Sequence, residues 1–169
     1  MVSAAAKILI KYFCFYRKDE IMSTRTLLVR WMYLVAAAHL LAGVLLPLCA
    51  DAAITDSYRR GIEAFFFDGA APAAGRALQV WWLSLFGPTV QAAAIWMAGL
   101  VVIGDKQRNA YAWVMLILGL LVWAPQDMLI SARAECWTNL WLDVFAMMMM
   151  LPPLLWLCKL DLACKRKAV

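Results

Sequence analysis

The fold class this sequence predicts is an all-α integral membrane four-helix bundle, and three observations carry the prediction. Hydrophobic residues make up 66% of the chain and charged ones only 16%, against roughly 45–50% and about a quarter in a soluble domain. Four stretches, Trp31–Cys49, Val80–Ile103, Ala110–Ile130 and Trp137–Cys158, are long enough to cross a bilayer, which takes roughly 17–25 mostly apolar residues. The basic residues are also unevenly shared between the two sides those spans define. One small core cannot bury this much apolar surface, so lipid must solvate the excess.

The charge asymmetry predicts orientation. Lys7, Lys11, Arg17, Lys18, Arg25 and Arg30 precede span one, Lys106 and Arg108 lie between spans two and three, and Lys159, Lys165, Arg166 and Lys167 follow span four. Against these twelve, the other side carries four: Arg59, Arg60, Arg76 and Arg133. By the positive-inside rule both termini lie in the cytoplasm. Trp31, Trp113 and Trp156 fall near one interface and Trp81, Trp82, Trp123, Trp137 and Trp141 near the other, as an aromatic belt does. The net charge of +5 is thus mostly a topology signal. It is spread over tails and short loops rather than gathered in a groove-sized patch, which argues against nucleic acid as a partner.

In chain order the first element is residues 1–21. "RKDEIM" precedes "MSTRTLLVRW", and Arg-Lys-Asp-Glu can be encoded almost wholly in purines, like a ribosome-binding site before a start codon. The natural chain is therefore expected to begin at Met22 or Ser23. The competing account is an amphipathic anchor, with Ile8, Leu9, Tyr12, Phe13 and Tyr16 set among basic residues. The short apolar stretch lacks a small-residue cleavage site, so it does not read as a signal peptide.

Span one holds His39, the only histidine, near its middle and on a face with Ala36 and Gly43. The long loop after it, "TDSYRRGIEAFFFDGAAPAAG", has helical spacing at Ile54, Tyr58, Ile62, Phe65 and Phe66. Thr55 or Asp56 is a candidate N-cap and Asp68-Gly69 a stop, so a helix lying flat at the outer interface is expected, as a lid or as a gate over a pocket. Span two carries Gln91 on a face with Ser84, Gly87, Ala94 and Ala98. Small residues around one polar group are what helix contacts in lipid prefer.

Span three contains Pro125. Stopping at Ala124 would leave about 15 residues, too few to cross, so the helix is expected to continue through the proline with a kink. Asp127 follows, on the outer side. Span four contains "WLDVFAMMMMLPPLLW", whose carboxylate, Asp143, lies roughly 9 Å below the outer boundary at 1.5 Å per residue. An unpaired charge at that depth costs on the order of 2–3 kcal/mol even on lenient scales. Asn139, Met147 and Met150 share its face.

Together Asp143, His39, Asp127, Asn139 and Gln91 are the candidate site. One account places His39 and Gln91 at the floor of a pocket that Asp127, Asn139 and Asp143 open to the outer surface, able to relay protons or bind a polar head group. The other makes each of them interhelical glue. No cofactor is expected beyond a bound lipid or quinone. A single histidine does not suit a bis-His haem, and Met147–Met150 run round every face of the helix rather than forming a copper stripe. Cys49 and Cys136 both fall on the outer side, where an oxidising compartment allows a disulfide, but no C-x-x-C tunes them for exchange. Phosphate loops, zinc spacings and supported Ser/His/Asp arrangements are missing from the sequence.

The order of features over residues 27–158, and especially the hairpin "PTVQAAAIWMAGLVVIGDKQRNAYA", resembles the DoxX-like small four-helix membrane proteins. Gln91 stands where that family often has Glu, and Gly99, Gly104, Lys106 and Arg108 follow its pattern. The resemblance implies a first span, a longer outer segment, a tight basic hairpin and a last span. It does not assign a catalytic residue, because the family mixes respiratory and thiol-linked accessory subunits. The expected function is a non-enzymatic accessory or assembly subunit of a larger complex, or a homo-oligomer, in a bacterial inner membrane. The alternative is a binder or transporter of a small amphipathic ligand such as a lipid or quinone, and a third is a membrane thiol oxidoreductase.

Overall fold

The computed structural model describes the backbone of residues 4–166 and the side chains of residues 22–163. Among the described residues five α-helices follow one another: α1 (Ala4–Cys49), α2 (Asp56–Phe67), α3 (Ala73–Gln107), α4 (Ala110–Arg133) and α5 (Trp137–Arg166), with a 3₁₀ turn, Ala53–Thr55, leading into α2. No strand occurs among the described residues. Four of the helices are long and apolar enough to cross a membrane: Met22–Cys49 of α1, all of α3 and α4, and Trp137–Ala163 of α5. Only 17–22% of each apolar window is buried inside the protein. Most of these side chains therefore face outward, which a multi-pass membrane protein can tolerate and a protein in water cannot.

Each helix runs past the apolar stretch that announced it. Span one was expected from Trp31, yet α1 is unbroken from Ala4 and its apolar part begins at Met22. The physical reason lies in residues 22–30. The Thr26 hydroxyl donates back to the Met22 carbonyl, 2.9 Å away, and Arg25 turns into the protein instead of marking a solvated end. The amphipathic-anchor side chains lie outside the described ones. α4 continues through Pro125, as the length of the bilayer required.

α2 has the expected bounds. Thr55 occupies the N-cap position, Asp68 closes the helix in the left-handed region at φ 52°, and Gly69 follows at φ 145°. The Thr55 side chain does not cap, however. Its hydroxyl is directed at the carbonyls of Cys49, Ala50 and Ala52, bracing the turn out of α1. Between α3 and α4, Arg108 is left-handed at φ 47° and the Asn109 side chain accepts from the Tyr111 amide at 3.1 Å, so the basic hairpin closes with a capped helix start.

α1 packs along α3 and α4 along α5, while α3 meets α4 and α1 meets α5. The first pair approaches closely at glycines. A Cβ added to Gly43 would stand 2.8 Å from the Gly87 carbonyl oxygen, and one added to Gly87 would stand 2.7 Å from that of Gly43. The apolar core gathers Val29, Met32, Val35, Val101, Trp113, Leu116, Leu120, Met150, Leu154 and Leu157. These belong to the end at which α3 turns into α4. The opposite end, under α2, is where polar groups collect.

Candidate functional site

The α2 end is built from both sides of the α4–α5 turn. Glu135, left-handed at φ 50°, reverses the chain there, which sets Asp127 and Ser131 of α4 against Asn139 and Asp143 of α5. Asn139 donates from Nδ2 to Ser131 Oγ at 2.7 Å and to Asp127 Oδ1 at 3.2 Å. Asp143, one turn deeper, takes no part in this. It is 3% exposed, its Oδ2 is buried without a hydrogen-bond partner, and it forms no ion pair among the described residues. An unpaired buried carboxylate oxygen forfeits its hydration with nothing in return.

Tyr58 of α2 covers this group. Its phenol is pushed up to about 12, first by burial and then by its electrostatic interactions with Cys136, Asp127 and Asp143, so the hydroxyl keeps its proton at neutral pH. Two ion-pair sets fasten α2 in place. Arg59, 2% exposed, donates to the Ala50 carbonyl, to Asp51 and to Asp56. Arg76 of α3 grips Glu63 through Nε at 3.0 Å and Nη2 at 3.4 Å. Hydrogen bonds from these arginines hold the Asp56 and Glu63 carboxyls below the usual carboxylate range. Gln79 of α3 has both amide atoms buried and unpartnered.

His39 and Gln91 are held elsewhere. Gln91 Nε2 donates to the Gly43 carbonyl at 3.0 Å, stitching α3 to α1 where the glycines let the backbones meet. His39 Nδ1 lies 2.8 Å from the Val35 carbonyl of its own helix, which requires the proton on that nitrogen. Of the five predicted site residues, the structure joins Asp127 and Asn139 directly. Asp143 is their neighbour, and His39 and Gln91 bond to helix carbonyls.

The densest polar cluster is at the opposite end, and sequence reasoning passed over it. Arg25, 7% exposed, donates from Nε to Asp161 Oδ1 at 2.9 Å and from Nη2 to Asp161 Oδ2 at 3.0 Å. It also reaches the Gly104 carbonyl at 3.0 Å and Asp105 at 3.4 Å. Trp113 Nε1 donates to Asp161 Oδ2 at 2.8 Å, and the Tyr33 hydroxyl reaches Asp105 at 3.4 Å. One guanidinium thereby ties α1, α3 and α5 together, with α4 joined through Trp113. The available signal was a lone acid, Asp161, near the end of span four and a base, Arg25, at the matching depth before span one.

Cys49, Cys136 and Cys158 are free thiols, and no bond joins Cys49 to Cys136. Among the described residues, no three His, Cys, Asp or Glu side chains gather as a metal site. An open cleft of about 560 Å³ lies beside α2, lined by Asp51, Arg76, Val80 and Trp81 among others. Comparison with protein-family models, with curated proteins and with solved structures finds no match to this chain.

Proposed function

We propose that this protein is a small multi-pass protein of a bacterial inner membrane, a four-helix bundle with both termini in the cytoplasm, acting as a non-enzymatic accessory or assembly subunit of a larger membrane complex. The observation that carries the reading is how the interior polar groups are used. Gln91, Asn139 and Arg25 each hold one helix to another rather than facing a shared reaction space. A chain built this way supplies a stable apolar surface, with Trp96 71%, Leu48 74% and Tyr111 67% exposed along three different helices. A DoxX-like origin belongs to the same reading. It is supported by the order of a first long helix, the α2 segment, and a two-residue turn at Arg108 and Asn109.

Native mass spectrometry of the gently solubilised protein tests this. Recovery in fixed stoichiometry with larger membrane subunits is the expected result. A protein that emerges alone with one bound lipid or quinone would instead establish the ligand-binding alternative. That second reading is favoured by the cleft beside α2, where Trp81 offers an apolar wall and Arg76 a charge.

A further inference from the structure

Among the described residues, five prolines lie inside the membrane-length helices: Pro47 in α1, Pro88 in α3, Pro125 in α4, and Pro152 and Pro153 in α5. A proline lacks the N–H that would bond the carbonyl four residues earlier, so each opens one carbonyl of its own helix. For Pro47 that carbonyl is Gly43, and for Pro153 it is Met149. Met149 is doubly open, because Pro152 also removes the donor three residues on, the one a tighter turn would use. In lipid no water stands ready to fill such a gap.

Both of these carbonyls are met by a side chain from another helix. Gln91 Nε2 of α3 donates to Gly43 at 3.0 Å, and Trp31 Nε1 of α1 donates to Met149 at 2.9 Å. Elsewhere along a helix the ladder takes the carbonyls, so a donor from a neighbour finds an uncommitted acceptor only at a break or an end. Arg25 obeys the same rule: its Gly104 acceptor is among the last four carbonyls of α3, where helical donors run out. Local shape suits the Gln91 contact as well. A Cβ added to Gly43 would stand 2.8 Å from the Gln91 amide nitrogen, and one added to Gly87 would stand 2.5 Å from Pro47 Cδ.

We propose that Gln91 and Trp31 are register locks that stand in for the amides Pro47 and Pro153 lack. Each break offers one acceptor to one neighbour, and a rotation of one residue position about either helix axis carries the donor off it. The two pairs thereby fix how α3 faces α1 and how α1 faces α5. The locks belong to the chain itself and do not depend on what it assembles with.

Double-mutant cycles test this, read as midpoints of thermal unfolding of the purified full-length protein in detergent, followed by circular dichroism. Gln91→Leu and Trp31→Phe each remove the donor, and each is expected to lower the midpoint by about 2–4 °C. Pro47→Ala returns an N–H to Gly43, and in that background the Gln91→Leu loss falls below half. Pro153→Ala does the same for the Trp31→Phe loss. Pro125→Ala, whose open carbonyl at Leu121 neither donor meets, leaves both losses unchanged. Losses equal in proline and alanine backgrounds, losses relieved as much by Pro125→Ala, or no loss on removing either donor overturn the proposal. If one alanine variant does not fold, the other cycle decides alone.

Discussion

Asp143 and Arg25 are both buried charges, and they predict opposite mutational behaviour. Arg25 has a complete set of partners, so removing one side strands the other. Arg25→Leu is expected to cost about 3–5 kcal/mol, the range for breaking a buried pair, and Arg25→Leu with Asp161→Leu is expected to recover most of the loss. Thermal unfolding in detergent measures both. Arg25→Lys keeps the charge but loses the fork that serves Asp161 and Gly104 together, and it should fall between the two. Asp143 strands nobody, because Asn139 keeps Asp127 and Ser131. Asp143→Leu is therefore expected to be at least as stable as the parent chain. A drop of more than about 1 kcal/mol would mean that the carboxylate has a structural partner. The sequence made Asp143 easy to find, since a carboxylate amid apolar residues has no bland explanation. It hid Arg25, because a basic residue before a first span satisfies the topology rule whether it is solvated or buried.

At the scale of elements, the glycine contacts between α1 and α3 and between α3 and α4 set the closest approaches. Gly87→Ala places a methyl against the Gly43 carbonyl and Pro47, and Gly104→Ala drives one into the Trp113 ring. Each is expected to destabilise by about 1–3 kcal/mol through overpacking. Gly119→Ala meets nothing within 4 Å; it should be neutral or gain up to about 1 kcal/mol from helix propensity. α2 is fastened by ion pairs, which makes it pH-sensitive. The Asp56 and Glu63 carboxyls are held below their ordinary range by Arg59 and Arg76. Their contribution is complete above that range and is lost as pH falls through the lowered folded values. Hydrogen exchange in residues 56–67 should accelerate on acidification before α3–α5 respond, and an α2 as protected in acid as at neutral pH would contradict this. α2 itself was legible, because its apolar spacing and its Asp-Gly stop are local. The extension of α1, α3 and α5 past their apolar stretches was not, because hydropathy reports where lipid lies and not where backbone hydrogen bonding ceases.

For the whole molecule, the orientation proposed above predicts Lys106 and Lys165 on the cytoplasmic side and Arg60 and Arg133 outside. Single cysteines at these positions, probed with an impermeant reagent on intact cells, should label at 60 and 133 alone. Labelling at 106 but not at 60 would invert the arrangement. The spans were readable from composition because a bilayer is a crude filter of length and polarity. Which polar residue meets which was not, since that depends on helix rotation, and a rotation of one residue position redirects every side chain. The clamp at Arg25 also has a consequence in time. Its principal partner, Asp161, lies 136 positions later in the chain, an interval on the order of ten seconds at typical rates of synthesis. Until the last helix emerges, the first must wait in the bilayer with its guanidinium held at the headgroups or lent to Asp105. The ribosome thus completes α5 before α1 can settle, and a nascent chain interrupted before residue 161 leaves the membrane with an arginine still seeking its acid.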